Sequence, residues 1–148
     1  MVALLDVNVL VALAWPNHVH HRQAHRWFRG RAPLGWATCS IVELGFVRVS
    51  SNARAIPAAV SPQEAMALLQ RITSLPGHHF WTDDIQVAES RYVARSRVAG
   101  HQLVTDAHLA GLALRHGGRL ATFDVGVRAL VPEGYSADAA IELIPSLA

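Results

Sequence analysis

Val2-Ala3-Leu4-Leu5 is an unbroken apolar run that ends on a carboxylate, Asp6, with an amide two residues further on at Asn8. A run without polar alternation fits a strand covered on both faces, which directs the chain towards a parallel sheet between layers of helix. Asp6 then stands at the carboxyl end of the strand, the edge where open α/β sheets bind ligands. Asn8 is placed to cap the helix that Val9-Leu10-Val11-Ala12-Leu13 begins.

The rest of the chain repeats this alternation. The first helix stops near Trp15-Pro16, because proline disfavours helix at the residue before it. A second helix is expected over 18–28, with Ala24, Trp27 and Phe28 as its apolar stripe and Gly30 as its stop. Leu34 to Thr38 reads as the second strand. Ser40-Ile41-Val42-Glu43 has the spacing of a capping box and opens a helix to about Ser50. Ser61-Pro62-Gln63-Glu64 is a second such box, with proline at the first helical position. Ala65, Leu68, Leu69 and Ile72 follow at helical spacing. His79-Phe80-Trp81 is a short third strand. Thr82 is expected to cap a helix carrying Ile85, Ala88 and Tyr92 and ending at Gly100. A further helix starts at Thr105-Asp106 and stops at Gly117-Gly118. Arg119 to Phe123 and Ala140 to Ile144 are the fourth and fifth strands. The expectation is an α/β fold in three layers, α/β/α, with a central parallel sheet of about five strands. At 148 residues the whole chain, 1–148, is expected to be one domain.

That geometry gathers four acids. Asp6 and Asp124 follow the first and fourth strands. Glu43 and Asp106 lie in the first turns of crossover helices, whose N-termini stand over the same sheet edge. Singly, each has an ordinary explanation. Glu43 can close a capping box, Asp106 can complement a helix dipole, and Asp6 and Asp124 can form turns. Together, four carboxylates on one rim repel unless cations sit between them. Oxygen donors without cysteine favour Mg²⁺, or Mn²⁺ in its place. Such ions activate water and steady phosphate oxygens, the chemistry of phosphodiester hydrolysis.

Charge agrees with a polyanionic substrate. All thirteen basic residues are arginine, and setting the four acids aside leaves seven acids against them. The remaining surface is then basic around an acidic centre. A lone cysteine, Cys39, excludes an internal disulfide and a cysteine-based metal site. No apolar stretch reaches the roughly 20 residues needed to span a bilayer. The apolar start has no basic leader and is broken by Asp6 and Asn8, so it reads as strand rather than signal peptide. No membrane association and a cytoplasmic location are expected.

The ordered segments Leu5-Asp6-x-Asn8-Val9-Leu10, Ser40-x-x-Glu43, Thr105-Asp106-x-x-Leu109-Ala110 and Thr122-Phe123-Asp124 resemble those of the PIN-domain ribonucleases. More narrowly they resemble the VapC toxins of bacterial, particularly mycobacterial, toxin–antitoxin pairs. The resemblance covers essentially the whole chain. It implies a PIN-like fold in which Asp6, Glu43, Asp106 and Asp124 are the metal-binding, catalytic acids. It implies support from Asn8 and from Ser40 or Thr122. It further implies a homodimer, a cognate VapB-type antitoxin that blocks the site, and a structured RNA substrate such as a tRNA or ribosomal RNA loop.

Two other metal-using α/β classes carry an Asp after the first strand, the response-regulator receivers and the haloacid-dehalogenase-type phosphatases. Both need a lysine near the phosphoryl group, and this chain has none. A non-catalytic PIN-like module that holds RNA or protein is the alternative reading. His18, His20, His21 and His25 cluster at the start of the second helix. His21 and His25 have the spacing of a metal pair but lack the intervening glutamate of the zinc-protease motif. They are read as a solvated polar face. His101 and His108 flank the Asp106 helix start, where either could meet a substrate phosphate.

Overall fold

The computed structural model describes residues 1–146. Its centre is a five-stranded sheet made of β1 (Ala3–Leu5), β2 (Trp36–Thr38), β3 (His78–Phe80), β4 (Arg119–Thr122) and β5 (Ile141–Leu143). The spatial order is β3-β2-β1-β4-β5, and every pairing is parallel. Between the strands run α1 (Val7–Ala14), α2 (His21–Arg31), α3 (Ser40–Ser50), α4 (Pro62–Thr73), α5 (Val104–Arg115) and the single turn α6 (Ala137–Ala140). Helices cover both faces of the sheet, giving the expected α/β/α layers.

The apolar run at the N-terminus is the middle strand, and Ala3, Leu4 and Leu5 are wholly buried. Leu4 pairs with Ala37 on one side and Leu120 on the other. Trp36 and Phe46 are the largest buried side chains. The Trp36 ring meets Phe28 edge-on at 5.1 Å and donates its indole N–H to the Pro76 carbonyl at 3.0 Å. A buried tryptophan with its polar atom satisfied contributes its full apolar area to the core.

Helix ends follow local chemistry. Ser61 accepts from the Glu64 amide at 3.1 Å with Pro62 at the first helical position, so this capping box forms. At the end of α5 the Gly117 N–H meets the Leu114 carbonyl and the Gly118 N–H meets Ala113. That pair is a Schellman motif, and its left-handed residue is Gly117 at φ 69°.

Other local expectations are corrected. The first helix is capped by Asp6, not Asn8, because the extended Asp6 turns its carboxylate onto the Asn8 amide. Ser40 and Glu43 do not form a capping box. Strand β2 delivers an extended Cys39 as the cap, so α3 begins at Ser40 itself, while Glu43 bonds to Thr38. Helix α2 begins at His21, because His18 to His20 are held in turns, and it runs through Gly30 to Arg31. The Arg31 guanidinium is buried against Glu142 of β5 and the Met1 carbonyl, which carries the helix past the glycine.

No helix forms over 82–100. The segment is irregular apart from one short 3₁₀ turn at Arg95–Arg97. Its polar residues have partners elsewhere: Asp83 and Asp84 bond His108 and Arg115 of α5, and Arg97 reaches the Val131 carbonyl at 2.6 Å. Tyr92 lies so close to α5 that a Cβ on Gly111 would come within 3.0 Å of its carbonyl oxygen. These tertiary contacts outweigh the segment's helical spacing. Among the described residues no helix is long and apolar enough to cross a membrane.

Candidate active site

The carboxyl ends of β1 and β4, with the first turn of α5, build the acidic rim. Asp6 follows Leu5 directly, and its amide extends the ladder by donating to the Ala121 carbonyl at 3.1 Å. Its side chain is 9% exposed. The Thr122 hydroxyl donates to Asp6 Oδ2 at 2.8 Å, and the Asn8 amide approaches Oδ1. The same Thr122 hydroxyl accepts from the Asp124 amide at 3.1 Å. One threonine at the end of β4 therefore orients both a buried carboxylate and the backbone that carries a second. Asp124 turns its own Oδ1 onto the Gly126 amide at 2.8 Å and stays solvent-exposed.

Asp106, in the first turn of α5, completes the group. Burial, reinforced by the charges of Asp6 and Asp124, pushes its carboxyl up to about 6. Burial also raises the Asp6 carboxyl, against the stabilising hydrogen bonds from Thr122 and the backbone, and Asp124 adds to the rise. Asp6 thus interacts electrostatically with two acids more than ninety positions further along the chain, Asp106 and Asp124.

Glu43 stands on the β2 side. Its Oε2 accepts from the buried Thr38 hydroxyl at 2.6 Å, and that oxygen lies 2.7 Å from His78 Nε2. With the hydroxyl proton directed to Glu43, the oxygen can accept from the imidazole N–H. Burial lowers the His78 pKa, and the Glu43 charge opposes that shift. Among the described residues no three acidic, histidine or cysteine side chains stand in the closed geometry of a metal site. Asp6, Asp106 and Asp124 are brought together, whereas Glu43 has its carboxylate engaged by Thr38 on the β2 side. Asn8 and Ser40 are both exposed, in the first turns of α1 and α3.

Several neighbours are not apparent from the motifs. Thr38 meets Glu43 across the turn from β2 into α3, and His78 joins Thr38 only through the β2–β3 register. Asp83, beyond the end of β3, bonds His108 Nε2 at 2.7 Å. The signal for it was an Asp-Asp pair just after a strand, hidden when that stretch is read as helix. His108 is 4% exposed and committed to Asp83, so it does not face a phosphate. His21 and His25 serve the end of α1. Their ring nitrogens lie 2.7 and 2.8 Å from the carbonyls of Ala12 and Leu13. These are helix-terminal acceptors that would otherwise lack partners, so the i, i+4 pair is a cap rather than a wholly solvated face.

The PIN domain family matches residues 3–130. Ribonuclease VapC39 of Mycobacterium tuberculosis is 51% identical over 127 residues, covering 86% of this chain and 91% of that protein. Ribonuclease VapC38 of the same organism is 46% identical over 131 residues, covering 88% and 91%. Among solved structures, VapBC2 from Rickettsia felis bound to a promoter DNA fragment superposes with TM-score 0.64 at 14% identity. That match covers 98% of this chain and all of that one. FitAcB from Neisseria gonorrhoeae superposes with TM-score 0.59 at 22% identity, covering 95% and 96%. At those identities the structural matches bear on the fold.

Proposed function

We propose a function from one premise: the chain belongs to the PIN-domain family, among its VapC-type ribonucleases. On our reading it is an endoribonuclease that hydrolyses phosphodiester bonds with Mg²⁺, or Mn²⁺ in its place. It acts as the toxin of a type II toxin–antitoxin pair. The observation that carries this reading is the grouping of acids at one sheet edge: Thr122 bonds both Asp6 and the Asp124 backbone, and Asp106 in the first turn of α5 is near enough for the charges of Asp6 and Asp124 to help raise its carboxyl. Carboxylates that oppose one another's ionisation make a donor set short of positive charge. The donors are all oxygen, which suits a small hard cation. Asp6, Asp106 and Asp124 would hold it, with Glu43 at the β2 side of the rim.

A bound ion of this kind lowers the pKa of a coordinated water and offsets charge on phosphate oxygens. The remaining work falls to the chain. Thr122 keeps Asp6 oriented by donating to Oδ2. Thr38 does the same for Glu43. Asn8 and Ser40, exposed in first helical turns, can meet phosphate or water at the rim. The substrate we propose is a structured RNA, a tRNA or ribosomal RNA loop, whose cleavage stops translation. The partners are a second copy of the chain and a small VapB-type antitoxin. An arginine of that antitoxin would pair with the rim acids in place of metal charge.

Calorimetric titration of the purified protein with Mg²⁺ tests the core of this reading. Binding should be detectable in the wild type and roughly 100-fold weaker or lost in Asp106→Asn. Equal binding by both proteins would remove Asp106 from the site. No binding by the wild type would favour a module that holds RNA or protein without cutting it.

A further inference from the structure

We infer that the groove at the start of α2 and the exposed arginine face of that helix form a track for single-stranded RNA running away from the acidic rim. This rests on the ribonuclease reading for its substrate class; the groove shares Asn8, Thr122 and Asp124 with the rim, and the rings and arginines are further residues. A groove of about 440 Å³ opens between Asn8, His18, His20, Thr122, Phe123 and Asp124, so it shares its wall with the rim. Its side is aromatic. The His20 ring stacks on Phe123 with centroids 4.5 Å apart and planes 24° from parallel. His18 continues the row at 5.8 Å.

The row is held before any ligand arrives. The His20 amide donates to His18 Nδ1 at 3.0 Å, which in the neutral ring leaves the proton on Nε2. His20 Nδ1 is buried and has no hydrogen-bond partner among the described residues. A buried polar atom without a partner is costly unless a ligand or water supplies one. Fixed aromatic rings beside polar edges suit a nucleobase, which stacks by its face and hydrogen-bonds by its rim.

The helix that begins at this groove supplies the charge. Arg22, Arg26 and Arg29 recur at i, i+4 and i+7 and share one face of α2. All three are exposed. The arginines that form ion pairs among the described residues are Arg31, Arg115, Arg119 and Arg128. The α2 face therefore carries uncompensated positive charge, as a phosphate backbone requires. An acidic peptide would match the charge but would gain nothing from the ring-lined groove.

Fluorescence anisotropy in EDTA tests the track without cleavage. The probes are a short fluorescein-labelled oligouridylate and a ribose-phosphate strand of the same length without bases. The wild type should bind the oligouridylate about fivefold or more tightly than the abasic strand. His20→Ala should abolish that preference while leaving the abasic affinity unchanged. His20→Phe, which keeps a ring, should retain part of it and guards against a folding defect. The double variant Arg22→Gln/Arg26→Gln should weaken both strands alike and reduce the salt slope by about 1.4. Equal wild-type affinity for the two strands, an unchanged slope in the double variant, or full competition by polyglutamate would each overturn the proposal. A protein that binds RNA this way yet cleaves none with Mg²⁺ would refute the ribonuclease reading and leave the track standing.

Discussion

Asp106 and Thr122 are where single-residue chemistry can be read most directly. The Asp106 carboxyl is raised from 3.8 to about 6 in the folded chain. An acid with a raised folded pKa stabilises the fold fully below its unfolded value, and that contribution is lost as pH rises through the folded value. In EDTA, then, Asp106→Asn should gain stability relative to wild type as pH climbs from about 4 to above 6. Thermal melts of both proteins across that window check the sign, and a constant difference would show that Asp106 is not perturbed. Thr122 donates to Asp6 and accepts from Asp124. Thr122→Val should therefore weaken Mg²⁺ binding roughly 10- to 100-fold, and Thr122→Ser should restore most of it. If valine and serine behave alike, the hydroxyl is not what orients the acids. At Glu43 the role expected from spacing, a capping-box partner, is replaced by the bond to Thr38. Glu43→Gln keeps the shape and the acceptor for Thr38 while removing charge. Its folding should be near wild type and its cleavage strongly reduced.

At the scale of elements, α1 and α3 meet beside the rim. A Cβ on Gly45 would lie 2.7 Å from Val7 Cγ2, and Val7 follows Asp6. The two helices therefore touch one residue beyond Asp6, at Gly45. Gly45→Val should force them apart, at a cost of about 1–3 kcal/mol in stability, and reduce cleavage more than an equally destabilising core change elsewhere. Denaturant melts and rates on the same samples make that comparison. The strands were legible because apolar runs beside turn residues have little else to be. The helix expected over 82–100 was not, since spacing alone does not reveal that Asp83 and Asp84 bond α5 or that Tyr92 packs on Gly111. The histidines were misjudged for the same reason. Nothing local in His21 and His25 says that they will reach the Ala12 and Leu13 carbonyls.

For the whole molecule, the order of acids along the chain was enough to place Asp6, Asp106 and Asp124 together, because parallel topology sends every strand's carboxyl end to one edge. The same rule brings Asp83 to that edge, although helical spacing over 82–100 hides it in the sequence. What topology could not supply was orientation, which comes from Thr122 through the β1–β4 register and from Thr38 through the local turn from β2 into α3. The proposed function requires the acids to act with a metal on RNA. Its most direct test is to incubate metal-stripped protein with total RNA, with and without Mg²⁺, and to map the new ends. Discrete cuts that need Mg²⁺ and leave 5′-phosphate and 3′-hydroxyl ends are expected, because water attacks. Undiminished cleavage in EDTA, or products ending in a 2′,3′-cyclic phosphate, would contradict that function.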